Sequence, residues 1–389
     1  MKRRFCPVEV LIVFSVIFLN LLASASISGR AVAAEATAPP AKPAEAASTG
    51  PAIDWHDVTQ WGVEGRAWTD QERSRWFDRF PAAAEGKVTS AVWGLSRDSA
   101  GLLVRFQTDA TAIWAHYVLR SDRLAMSHMP ATGVSGLDLY ARDEQGVWRW
   151  VNVTRPDKKE VRQLIQEGLR PGWREYAAYL PLYNGVESLE IGVPQGAKFT
   201  GLPPRDAKPI VFYGTSITHG ACASRPGMVH TAVLGRHLDR PVINLGFSGN
   251  GRMDAAVGEF LCQIDAAVYV IDCSPNMGPD DIRKKCPVLV QMLRAARPDT
   301  PIVLVEDRRF TNSWILPERN EFHTQNHAAL RECYDALCKQ GVAKLHYIPG
   351  DMLLGDDTEG ATDASHPNDL GFLRQAAVFE PVLREALAP

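Results

Sequence analysis

The chain has almost no surplus charge. Its 42 Lys and Arg against 45 Asp and Glu leave a formal net of −3 over 389 residues. No long basic run appears, which excludes nucleic acid as a partner, because a phosphate backbone calls for a concentrated cationic face. The glycine patterns of nucleotide sites are also missing. GFSGNG, residues 246–251, is spaced G-x-x-G-x-G rather than G-x-G-x-x-G, and GTSITHG, residues 214–220, has no phosphate-loop lysine. His323 and His327 sit at helical spacing in HTQNH, as a metal pair does, but position 324 is Thr and not the Glu of a zinc protease. Packed or solvated histidines are the commoner use of that spacing, so no metal and no cofactor is expected. Beyond Cys6 the first half has no cysteine; Cys222, Cys262, Cys273, Cys286, Cys333 and Cys338 all lie in the second half. They are either disulfide partners in an exported protein or free thiols in a large core.

Long apolar runs are missing too, except at the start. Lys2, Arg3 and Arg4 precede VLIVFSVIFLNLLASASI, and AVAAEA follows. A basic segment, an apolar segment and an Ala-x-Ala site near Ala33 or Ala34 are the parts of a signal peptide. Residues 1–34 are therefore expected to direct export and to be removed, leaving no stable membrane span; an uncleaved anchor is the alternative. Cys6 precedes the apolar segment and is not placed as a lipoprotein cysteine. Residues 35–52, rich in Ala and Pro, form a flexible tether.

The remainder, with 46% hydrophobic and 22% charged residues over the whole chain, is globular and long enough for two cores. Residues 53–200 carry short alternating runs. GLLVRFQTDATAIWAHYVLR splits at Thr108–Ala110, GLDLYARDEQGVWRWVNVT turns at Asp143–Gly146, and REYAAYLPLYNGVESLEIGV turns at Asn184-Gly185, a strong hairpin dipeptide. The pattern predicts a β-sandwich of jelly-roll type. Its tryptophans, Trp93, Trp114, Trp148, Trp150 and Trp173, fill a core or form a sugar platform. Residues 201–208 read as a linker. From 209 to 389, apolar runs alternate with helical ones (PIVFY, PVINL, AAVYVID, PIVLVE and AKLHYIP are the strands), which predicts a five-stranded parallel sheet in a three-layer α/β/α fold.

Reactive groups in such a sheet gather at the carboxyl ends of the strands. The first strand runs into Gly214-Thr215-Ser216, the second into Gly246, the third into Cys273-Ser274-Pro275-Asn276, and the last, through a loop, into TDASHPND with Asp363 and His366. A serine needs a base to take its proton, and the base needs an orienting partner. Asp363 and His366 could supply that pair for Ser216. The backbone N–H groups of Ser216 and Gly246, with the Asn276 amide, are candidate oxyanion donors. Singly each has an ordinary explanation as a cap or turn residue; together, in order at successive strand ends, they point to acyl transfer. His219 lies too near Ser216 along the chain to reach its Oγ and is expected to be a pocket wall.

The four blocks GTSITHG, NLGFSGNG, CSPNM and DASHPND resemble those of the SGNH/GDSL hydrolases, across essentially the whole of the second domain. Thr215 and Ile217 replace the usual Asp and Leu beside the nucleophile. The resemblance implies a flavodoxin-like fold, Ser216 as nucleophile, His366 as base, Asp363 as orienter, and an oxyanion hole from Ser216, Gly246 and Asn276. GLDLY, residues 136–140, resembles the Gly-x-Asp-Leu-Tyr signature of a β-module that precedes such hydrolases in bacterial proteins. Relatives of that kind resemble carbohydrate esterases, so the expected substrate is a small-molecule or polysaccharide acyl ester. A lipid esterase or lysophospholipase, and a non-catalytic carbohydrate-binding protein on a hydrolase-like fold, are the competing expectations.

Overall fold

Period-two burial in the N-terminal half builds two antiparallel sheets. The computed structural model describes residues 52–388, so the expected signal and nearly all of the tether lie outside the described residues. The strands are β1 (Ile53–Asp57), β2 (Leu103–Thr108), β3 (Ala112–Leu119), β4 (Asp138–Arg142), β5 (Trp148–Val153), β6 (Glu160–Glu167), β7 (Arg174–Tyr179), β8 (Val186–Pro194) and β9 (Phe199–Leu202). They pair in the orders β1-β8-β3-β6 and β5-β4-β7-β2-β9. Inward residues of both sheets, among them Val104, Phe106, Tyr117, Tyr176 and Ile191, share one core, as a sandwich requires. β4 and β5 form the expected hairpin across Asp143–Gly146.

Asn184-Gly185 does not close a hairpin. β7 and β8 belong to different sheets, and the buried Asn184 amide instead bonds the Ser121 carbonyl and Ser135 Oγ. The dipeptide therefore serves a crossing between sheets. β9 also continues to Leu202, opposite Arg105, two residues into the expected linker.

The second half adds β10 (Ile210–Gly214), β11 (Val242–Gly246), β12 (Val268–Asp272), β13 (Ile302–Val305) and β14 (Leu345–Ile348). They form a parallel sheet in the order β11-β10-β12-β13-β14. β10 and β12 are buried at every position, as strands covered on both faces must be. The helices are α1 (Ser90–Ser96), α2 (Ala131–Val134), α3 (Ser216–His219), α4 (His230–His237), α5 (Ala255–Leu261), α6 (Pro279–Ala296), α7 (Pro317–Lys339) and α8 (Asp369–Ala386). α4 and α8 cover one face of the sheet, and α5, α6 and α7 cover the other.

The two halves do not keep separate cores. Trp68, Phe80, Val92 and Trp93, all from the segment between β1 and β2, pack in one cluster with Tyr213, Phe247 and Phe260. Phe80 stacks on Phe247 with ring centroids 5.4 Å apart. Trp93 is thus a core residue on α1, whereas Trp150 and Trp173 are about half exposed.

GLDLY marks a second seam. Asp138 is fully buried and accepts from Trp150 Nε1 at 2.8 Å, the Gly227 N–H at 2.8 Å and Arg225 Nη1 at 2.9 Å. Arg225 also bonds the Tyr140 hydroxyl. A Cβ on Gly227 would fall 2.4 Å from Tyr140 Cε2. The motif therefore clamps the loop that follows α3, and through it the neighbourhood of Ser216.

Candidate active site

β10 lies where the strand order reverses, between β11 on one side and β12 on the other, so a crevice opens at its carboxyl end. Ser216 is the first residue of α3 at that end. Thr215 caps the helix, its Oγ1 accepting the Ile217 N–H at 3.3 Å. Thr and Asp are both favoured at this position of a helix, so the Thr215 hydroxyl meets the cap's requirement without the Asp usual in the blocks the sequence resembles. Gly220 ends the short helix in the left-handed region, φ 112°, where a side chain would strain the backbone.

The three chemical groups meet. Ser216 Oγ lies 2.8 Å from His366 Nε2, and His366 Nδ1 lies 2.8 Å from Asp363 Oδ2. The other Asp363 oxygen accepts the His366 N–H at 2.7 Å and the Ser365 N–H at 3.1 Å. Burial acts to raise the Asp363 pKa, but these N–H groups and the His366 ring outweigh it and hold the carboxyl below its usual value. It stays ionised and keeps the His366 proton on Nδ1, so Nε2 faces the serine as an acceptor.

Gly246 does not supply the expected oxyanion donor. Its N–H is bonded to Asn244 Oδ1 at 2.9 Å, and its carbonyl accepts Arg79 Nη1 at 3.0 Å. A residue still in the sheet has its amide spent; the free amides come from the turn beyond. Gly246 is required for close approach instead, because a Cβ there would lie 2.1 Å from the His219 nitrogen. Gly249 fits the donor role better. It sits at φ 69°, where a Cβ would meet nothing within 4 Å, its N–H has no acceptor among the described residues, and its neighbours Ser248 and Asn250 line the cleft beside His366. The sequence signal was available: a glycine in the turn after the strand, rather than in the strand. Asn276, in the short turn Ser274–Asn276, donates one amide hydrogen to the Gly251 carbonyl at 3.3 Å, which leaves the second for a ligand.

His219 is neither base nor pocket wall. It is fully buried beneath Tyr183, with rings 4.2 Å apart, and its Nε2 lies 2.7 Å from the Leu182 carbonyl. Burial drives its pKa well down. His323 and His327 are buried too. His323 Nδ1 lies 2.9 Å from Asp307 Oδ2, and His327 Nε2 lies 2.6 Å from the Asp307 carbonyl, so both brace the end of β13. Among the described residues, Cys222, Asp363 and His366 are close enough to share a metal, with ligand atoms within 4.8 Å. Two of these already bond each other, and burial and Asp363 push the Cys222 thiol up to about 11, so it is protonated. All six cysteines after the first are free thiols.

The β-module builds much of the cleft. The open cavity of about 590 Å³ beside His366 is walled by Leu95, Asp98, Arg120, Arg123, His128 and Tyr183 from that half. Tyr183 also donates to the Ser216 carbonyl at 3.3 Å. No helix among the described residues is long and apolar enough to cross a membrane.

Residues 207–384 match the GDSL-like lipase/acylhydrolase family, and residues 53–199 match the GxDLY N-terminus of SGNH hydrolase-type esterases. A crystal structure assigned as a GDSL-like lipase from Bacteroides ovatus is 33% identical, with a TM-score of 0.82 over 86% of this chain and 98% of its own. Two more distant structures share the fold. The salicylyl-acyltransferase SsfX3 of a tetracycline biosynthetic pathway is 18% identical, with a TM-score of 0.64 over 87% of this chain and 96% of its own. A family two carbohydrate esterase from Cellvibrio japonicus is 13% identical, with a TM-score of 0.56 over 87% of this chain and 99% of its own. No protein of curated function matches the chain. Family, module and shared fold agree: the chain belongs to the GDSL-like lipase/acylhydrolase (SGNH) family, carries its GxDLY-type N-terminal module, and is a carboxylic ester hydrolase.

Proposed function

We propose that the protein is an exported serine esterase that removes acyl groups, acetyl foremost, from carbohydrate. The observation that carries the mechanism is the hydrogen-bonded series Ser216 Oγ, His366 Nε2, Nδ1, Asp363 Oδ2, with 2.8 Å at both links. His366 takes the Ser216 proton as Oγ attacks the ester carbonyl, and the ionised Asp363 stabilises the imidazolium that results. The Ser216 and Gly249 N–H groups and the free Asn276 hydrogen are the donors for the tetrahedral oxyanion. His366 then gives that proton to the departing sugar oxygen as the C–O bond breaks, so the sugar leaves as an alcohol. Water, deprotonated by the same ring, releases the carboxylic acid and restores the serine.

The cleft wall supports carbohydrate over lipid. Arg120 and Arg123 stand on it among smaller apolar residues such as Leu95 and Met126, and a long acyl chain laid along it would have to strip water from the two guanidinium groups. Export rests on the pattern of residues 1–34.

The test is hydrolysis of an aryl acetate by the mature protein, Ser216→Ala and His366→Ala, followed by acetylated glycans and long-chain acyl esters. Each variant is expected to lose at least about three orders of magnitude in kcat. Near-normal turnover by Ser216→Ala would sink the serine mechanism. Absence of turnover in the wild type would favour a non-catalytic binding protein, and preference for long acyl chains would favour a lipid esterase.

A further inference from the structure

We propose that the cleft selects esters whose alcohol portion is an acidic sugar, and that Arg123 is the residue that recognises its carboxylate. This deepens the carbohydrate-esterase reading and rests on it. The charged groups on the wall facing His366 are Asp98, Arg120 and Arg123. The single acid is already committed: Asp98 is buried and accepts Arg120 Nη2 at 2.7 Å.

Cations outnumber it. Arg79 lies behind the wall, wholly buried, and donates only to main-chain carbonyls, those of Asp98, Leu95, Asn244 and Gly246. Arg120 Nε is buried and has no hydrogen-bond partner. Arg123 bonds Ser121 Oγ through its backbone N–H alone, and its guanidinium has no partner among the described residues. Two buried acids, Asp98 and Asp78, are answered by Arg120 and Arg97, and the guanidinium with all its donors free, that of Arg123, lines the open cleft. A planar fork with free N–H groups fits a carboxylate in two parallel hydrogen bonds. A neutral sugar would use those donors weakly, and a cationic one would be repelled. The module contributes every one of these groups, so choice of the alcohol portion belongs to the β-half and bond cleavage to the α/β half.

The experiment compares an acetylated uronic-acid oligosaccharide with the same glycan after its carboxyl groups are reduced to alcohols. The wild type is expected to show kcat/KM about tenfold or more higher on the acidic form, carried by KM, because a hydrogen bond to a charged group contributes that much. High salt should shrink the preference. In Arg123→Ala the ratio should fall close to one, and Arg123→Lys should keep part of it. Arg123 is exposed, so these variants are expected to fold. Equal turnover of the two glycans by the wild type would overturn the proposal, as would an acidic preference that survives in Arg123→Ala. Aryl acetate hydrolysis by the wild type, lost in Ser216→Ala, reports on the esterase reading separately.

Discussion

Arg79 Nη1 donates to the Gly246 carbonyl at 3.0 Å and to the Asn244 carbonyl at the same distance. The arginine comes from the β-module half, and its acceptors lie at the end of β11, one residue before the turn that presents Gly249. Burial pulls its pKa down to about 10, and it remains charged at neutral pH. The guanidinium thus ties the module to the strand end behind the nucleophile.

Replacing Arg79 by Met is therefore expected to leave several buried carbonyls without donors. Each such group costs about 1–3 kcal/mol, so the loss should total about 3 kcal/mol or more by urea unfolding. A change under about 1 kcal/mol would show that the carbonyls find other partners.

Asp138→Ala should be similarly damaging. It strands Arg225, the Gly227 N–H and Trp150 Nε1 at a buried seam, and breaking a buried pair from one side costs about 3–5 kcal/mol. If the unfolding midpoint stays in place, the GLDLY motif is not the clamp described above.

Asp363→Asn keeps the shape of the triad but offers an N–H where His366 Nδ1 needs an acceptor. The ring is then driven to the tautomer with hydrogen on Nε2, which cannot take the serine proton. A fall in kcat of about three to four orders of magnitude is expected, with KM little changed. Steady-state kinetics on an aryl acetate checks it.

Asn276→Ala removes an oxyanion donor and should cost about 10²–10³ in kcat, again with little effect on KM. A rise in KM alone would assign Asn276 to ground-state binding.

Asp272 predicts a pH dependence of stability. It is buried at the end of β12 and accepts Thr218 Oγ1 at 2.9 Å. Burial raises its pKa to about 7; Thr218 and Arg308 work against the rise and Asp307 adds to it. A carboxyl with a raised folded-state pKa favours folding fully below its unfolded value, and that advantage is lost as pH climbs through about 7. Asp272→Asn should flatten this slope and raise the melting temperature at pH 8 relative to the wild type. A melting temperature that falls equally with pH in both proteins would rule Asp272 out as the cause.

Local pattern determined a great deal. Continuous apolar runs such as IVFY and VYVI, alternating with helical ones, fit strands covered on both faces, so the parallel sheet was legible from the order of the runs along the chain. The reactive residues stood at strand ends in chain order, so Ser216, Asp363 and His366 could be named before any distance was known. Tertiary structure decided what depends on which neighbour takes which hydrogen bond. Gly246 was expected to offer its N–H, but Asn244 had already taken it. Asn184-Gly185 had the chemistry of a hairpin, but its strands joined different sheets. The two halves were expected to hold separate cores, but Phe80 and Trp93 pack into the hydrolase core and Arg123 reaches its cleft. Residues far apart in sequence meet only once the chain is packed, and periodicity carries no record of those meetings.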